Sequence, residues 1–179
     1  MSSEDEQQRE STLHPKAIED ILIWAHSTLS TSDNVSKVLR LHALTEHYLD
    51  RLLALRLRKA NAVLDDARFS YHHKRILVEA LGALPSNILE SLKRLTSLRN
   101  KCAHNAHPSI TVAEIQHAAQ PIKETYETVQ KDHAKNGVSL DEMGAFSWAL
   151  FSEITLCITP YEIAFAELTI PNKPLEPMR

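Results

Sequence analysis

The chain has 179 residues, 43% of them hydrophobic, which suits one compact domain with a single core. With 3 glycines there is no Gly-rich phosphate loop, and scarce alternating β-branched runs argue against sheets. The formal net charge of -3 resides in the first 14 residues, where Glu4, Asp5, Glu6 and Glu10 face Arg9 alone, so the rest of the chain is formally neutral and carries no general excess of positive charge.

Residues 1–14 read as a disordered acidic tail. After Pro15, a suitable first-turn residue, Ile18, Ile21, Leu22, Ala25 and Leu29 recur at helical spacing and predict a first helix, broken at Thr31-Ser32-Asp33-Asn34. Ser32 or Asp33 can cap a second helix running to about Asn61, long enough to be the backbone of the fold. A third is predicted from about Ser70 to Leu81. After Pro85, Ser86 or Asn87 opens a fourth. Thr111-x-x-Glu114 reads as a capping box for a fifth, with Val112, Ile115, Ala119, Ile122, Tyr126 and Val129 on one face, a bend at Pro121 and an end at Asn136-Gly137. Ser139-x-x-Glu142 opens a sixth that reaches Pro160, with a short helix after it and a C-terminal tail over 171–179. No repeat or interdomain linker interrupts 15–170, so the expected architecture is one all-α bundle of about five to seven helices.

Cys102 and Cys157 have neither CxxC context nor metal-ligand spacing, and no secretory signal precedes them; the expectation is two reduced thiols in a cytoplasmic protein. The longest apolar stretch, 145–158, is interrupted by Ser147, Ser152, Glu153 and Thr155 and is too short and too polar to span a membrane. No metal or other cofactor is expected, because neither His104 with His107 and His117 nor His72 with His73 has a recognised spacing to a third ligand. Between positions 50 and 80, Arg51, Arg56, Arg58, Lys59, Arg68, Lys74 and Arg75 outnumber Asp50, Asp65, Asp66 and Glu79, which reads either as a solvated helix face or as a phosphate-facing surface.

Two charged residues break the apolar pattern. At about 100° per residue, Ile88, Leu92, Leu95, Arg99 and Cys102 share one stripe of the fourth helix, which predicts a buried or interfacial Arg99 with an anionic or carbonyl partner. On a continued helix His104 points roughly 140° away from Arg99. The two therefore share a site if the chain turns at about Ala103, or if two copies of the helix assemble it. In the second helix, Val35, Leu39, His42, Glu46, Leu49, Leu53 and Leu57 form one stripe and Leu41, Leu44, Tyr48, Leu52 and Leu55 a second, so both faces need covering, by neighbours or by another subunit. Glu46 either approaches and orients Arg99 or is a buried carboxylate satisfied by His42 or a backbone donor.

The run Arg99-Asn100-Lys101-Cys102-Ala103-His104, at the end of a long leucine-bearing helix that follows another long helix, resembles the HEPN superfamily of small helical domains, many of them metal-independent ribonucleases. Their signature is an arginine, a polar residue after it, and a histidine after four to six intervening residues; Arg99, Asn100 and His104 match it with a gap of four. The resemblance covers roughly Val35 to Pro108, and the arrangement is also similar to mannitol operon repressor-like relatives. It implies a homodimer with two motifs facing one cleft, RNA as substrate, and a toxin- or defence-like role with an antitoxin or regulatory protein partner.

The residue types suit that chemistry. Metal-free RNA cleavage needs a group titrating near neutrality to take the 2′-hydroxyl proton, for which His104 is the candidate, and a guanidinium fork to stabilise charge on the phosphate, for which Arg99 is the candidate. Asn100 positions the ribose or phosphate, or holds the helix end. Read without the resemblance, His104 is a helix-terminal residue bonding the last carbonyls. The alternative function is a non-catalytic HEPN-like interaction module or transcriptional regulator, favoured by the neutral body of the chain.

Overall fold

The computed structural model describes residues 33–169; the expected first helix and both tails lie outside that range. Within it there are six helices of eight or more residues and no strand, so the protein is an all-α bundle as its periodicity predicts. We number the helices α1 (Asn34–Arg56), the single-turn α2 (Asn61–Leu64), α3 (Tyr71–Ala80), α4 (Ser86–His104), α5 (Val112–Ala119), α6 (Lys123–Lys135) and α7 (Glu142–Thr169).

Local chemistry sets most boundaries. Asp33 caps α1, its carboxylate accepting from the Ser36 amide at 2.8 Å. The helix stops at Arg56, a turn earlier than its leucine pattern suggests, because Leu57 is extended. Gly82, at φ +59°, lets the chain leave α3 in a left-handed conformation a side chain would disfavour. The capping box at Thr111 and Glu114 forms, with the Glu114 amide 3.3 Å from Thr111 Oγ1 and the Thr111 amide 2.9 Å from Glu114 Oε2. Pro121 interrupts α5 and α6 with a 3₁₀ turn, Gln120–Ile122.

Two boundaries differ from expectation. Asp141, not Ser139, opens α7, its carboxylate accepting from the Gly144 amide at 2.7 Å. The helix then continues through Pro160 to Thr169 rather than ending there. Proline removes one N–H, but the carbonyl it strands, on Leu156, belongs to a residue that is 68% exposed, so water can satisfy it.

The core sits around α1, which packs against α3, α4 and α7 and so has both faces covered by the same chain. Leu49 and Leu53 are buried from one stripe, Leu41, Tyr48 and Leu52 from the other, and Tyr48 meets Phe151 of α7 edge-on at 5.5 Å. Bonds at increasing positions along both helices, Thr45 with Tyr71, Asp50 with Lys74 and Arg56 with the Leu81 carbonyl, show that α1 and α3 run parallel. Asn34, at the start of α1, reaches Ile110, which follows α4, at 3.4 Å.

Candidate functional site

The last turns of α4 lie where α1 and the start of α3 come together. Tyr71, first residue of α3, is the pivot: its hydroxyl is 3.1 Å from Thr45 Oγ1 on α1. Burial pushes its phenol up to about 12, so it remains a neutral hydroxyl. His42, one turn before Thr45, stacks on the Tyr71 ring with centroids 4.1 Å apart. Arg99 stands on α4, one turn beyond Thr96. Burial first, and then the charge of Arg99, hold the His42 imidazole below its ordinary value against the opposing pull of Glu46. The imidazole is therefore neutral at pH 7.

Arg99 is exposed, although Ile88, Leu92 and Leu95 on its stripe are fully buried and Cys102 nearly so. The expectation of a buried arginine fails for a geometric reason. Helix α3, which packs against α1 and α4, begins at Tyr71 beside Thr45 and so leaves Arg99 uncovered, while Cys102 further along the stripe stays buried. The guanidinium donates to Asn100 Oδ1 at 3.3 Å.

Glu46 is not the partner of Arg99. It takes a bond from Lys74 of α3 at 2.9 Å, and Asp50, one turn along α1, takes another at 2.9 Å. Burial lowers the Lys74 ammonium, but its bonds to Asp50 and Glu46 outweigh that and hold it above its ordinary value. The sequence does carry the signal: Tyr71, Lys74 and Val78 share the buried stripe of α3, so Lys74 breaks that stripe as Glu46 breaks its own.

Helix α4 runs unbroken through His104, and there is no turn at Ala103. His104 is exposed and stays about 140° around the axis from Arg99. The helix-end role falls to Asn105, whose side-chain amide donates to the Lys101 carbonyl at 2.9 Å, which leaves Asn100 and His104 out of it. On the far side of α4 from Arg99, a cavity of about 370 Å³ is lined by Arg94, Ser97, Lys101, Glu114 and His117. Lys101 bonds Glu114 at 2.6 Å and, with Thr111, holds its carboxyl down to about 2.

Of the cations between positions 50 and 80, Lys74 is buried, Arg51 and Arg75 are half-buried, and Arg56, Arg58, Lys59 and Arg68 are exposed. Arg68 pairs with Asp66 at 3.0 Å, Arg75 with Glu79 at 3.5 Å, Arg51 with Glu162, and Arg56 lies 4.7 Å over the Tyr161 ring. Among the described residues no group of three or more His, Cys, Asp or Glu is placed to hold a metal ion, and no helix is long and apolar enough to cross a membrane. Cys102 is buried, which pushes its thiol up and away from nucleophilic use. Comparison of the chain with protein-family models, with curated proteins and with solved structures finds no match.

Proposed function

We propose that the protein is a cytoplasmic, metal-independent endoribonuclease of HEPN type, in which Arg99 clamps the scissile phosphate and His104 takes the 2′-hydroxyl proton. The observation that carries this reading is the exposure of both motif residues on the end of a helix whose preceding stripe is fully buried: an arginine at a position the pattern reserves for a core residue, presented to solvent with no carboxylate bond of its own among the described residues. Asn100, bonded to Arg99, orients the guanidinium beside the phosphate. Glu46 acts at one remove, through Lys74 and the field it exerts on His42.

Because α4 is straight through His104, Arg99 and His104 serve one reaction when two copies meet, the arginine of one beside the histidine of the other. Leu39, 43% exposed on the stripe of α1 that carries His42 and Glu46, supplies apolar surface for that contact. The leaving 5′-oxygen takes its proton from solvent, so each site needs one Arg99 and one His104. A toxin- or defence-like role, with an antitoxin or regulatory protein partner, goes with this reading.

The test is RNA cleavage in excess chelator. The expected products carry a 2′,3′-cyclic phosphate, a 2′-deoxy substitution at the cleavage site blocks the reaction, and His104→Ala is inactive. Cleavage of DNA, or activity that chelator removes, contradicts the mechanism. The second reading, a non-catalytic HEPN-like interaction module or transcriptional regulator, is favoured by the pairing of Arg51, Arg68, Lys74 and Arg75 with carboxylates of the same chain, which offsets much of the positive charge between positions 50 and 80. It is the reading to adopt if no RNA is cleaved and His104→Ala behaves as the parent in every assay.

A further inference from the structure

Helix α1 carries an imidazole inside its packed face. His42 is 9% exposed and lies flat against Tyr71, yet its Nε2 is buried without a hydrogen-bond partner. A buried polar atom left unpaired is unfavourable, and a phenylalanine would stack on Tyr71 without that cost. The imidazole stacks on Tyr71 of α3, whose phenol feels Arg75 and is held by Thr45 of α1, and the charges that act on the ring are those of Arg99 on α4 and Glu46 on α1. Glu46 is held by Lys74, and the Thr45 hydroxyl by the His42 carbonyl and Tyr71. Arg99 has five N–H donors, and its bond to Asn100 is a long one, at 3.3 Å.

We propose that His42 is a positioning residue for Arg99: when a phosphate approaches Arg99 the guanidinium turns inward, donates one N–H to His42 Nε2, and is held with its other donors across the phosphate oxygens. The ligand is a phosphodiester of an RNA strand, an identity that rests on the function proposed above. The step needs a neutral imidazole, because Nε2 accepts only when unprotonated and an imidazolium repels the guanidinium. The burial of the ring and the charge of Arg99 supply that state. His42 touches no substrate; it limits the directions in which Arg99 can point.

Two measurements on the full chain test this. The first is a binding cycle with random-sequence RNA in which every 2′-hydroxyl is methylated, so that the parent binds without cleaving. His42→Phe is expected to weaken binding about tenfold, the loss of one charge-assisted bond, with no fall in thermal midpoint. His42→Gln, which keeps an acceptor, restores most of the affinity. On an Arg99→Ala background His42→Phe costs nothing further, because the histidine acts through the arginine. Unchanged affinity in His42→Phe, or a loss that adds to that of Arg99→Ala, overturns the proposal. The second is the NMR titration of the His42 imidazole with and without inorganic phosphate: the difference between the parent and Arg99→Ala widens when phosphate is added if the guanidinium turns inward to Nε2, and an unchanged difference overturns the pairing. The titration needs no RNA, so a parent protein that binds none sinks the ribonuclease reading while the titration still decides for or against the pairing of His42 with Arg99.

Discussion

The two halves of α4 follow the same periodicity and meet opposite fates. From Ile88 to Leu95 the stripe is sealed by α1 and its neighbours, and those side chains are fully buried; in the last turns Cys102 stays buried while Arg99, on the stripe, and His104, off it, carry polar groups into solvent. The first half bears on stability and the second, in the proposed function, on chemistry, and the dividing line is at Tyr71, whose hydroxyl meets Thr45 on α1. Beyond that line Leu98 and Cys102 still pack into the core, but Arg99 and His104 stand in solvent, so an arginine at 99 is compatible with the fold but is not required by it. That separation is what allows substitutions in the two halves to be distinguished.

The largest effect expected is on activity. Arg99→Ala and His104→Ala each lower RNA cleavage by about a hundredfold or more while the thermal midpoint stays at the parent value, since both side chains are exposed. Arg99→Lys recovers part of the loss at most, because an ammonium cannot present the two-pronged geometry. A large drop in stability in Arg99→Ala would erase the division between the halves. In the buried half the effect reverses: Leu95→Ala should cost about 2 to 5 kcal/mol in urea unfolding, with cleavage per folded molecule unchanged. A smaller loss is expected where α3 is stapled to α1. Lys74→Met leaves Glu46 and Asp50 unpaired, but both carboxylates are more than a third exposed and keep access to water, so unfolding free energy falls by about 1 kcal/mol.

The smallest effect concerns the far side of α4. Glu114 is held down to about 2 in the folded protein against an ordinary 4.5, by Lys101 first and then by Thr111. Its folded value is depressed, so its contribution is present above 4.5 and is lost as pH falls through that range toward about 2. Stability measured across that acid window should decline in the parent and decline less in Glu114→Gln, while cleavage at neutral pH is unaffected by the substitution.

Much of the fold was legible in the sequence because it depends on short-range chemistry. Helical spacing, the Asp33 cap, the Thr111 and Glu114 box and the glycines at the ends of α3 and α6 act within a few residues. The cap of α7 was misplaced because two acceptors, Ser139 and Asp141, stand next to each other and tertiary packing chose between them. Pro160 did not end α7 because its cost depends on whether the stranded carbonyl meets water, which spacing alone does not reveal. At the site, the angle of Arg99 was correct and its burial was not: periodicity fixes which way a residue points but not how far the covering helix extends. For Glu46 the sequence suggests Arg99, His42 or a backbone donor, and the partner it takes is Lys74, whose place on the buried stripe of α3 is an equal anomaly.

The most direct test of a site shared between two copies is to mix inactive variants. Arg99→Ala and His104→Ala, each unable to cleave RNA alone in excess chelator, are combined in equal amounts and allowed to exchange subunits. If Arg99 of one copy works beside His104 of the other, half of the dimers carry one intact site, and cleavage returns to about a quarter of the parent rate. A mixture no more active than its components, beside a parent that cleaves, would contradict the shared site and require both groups to act from one chain, across the 140° or so that the straight helix puts between them.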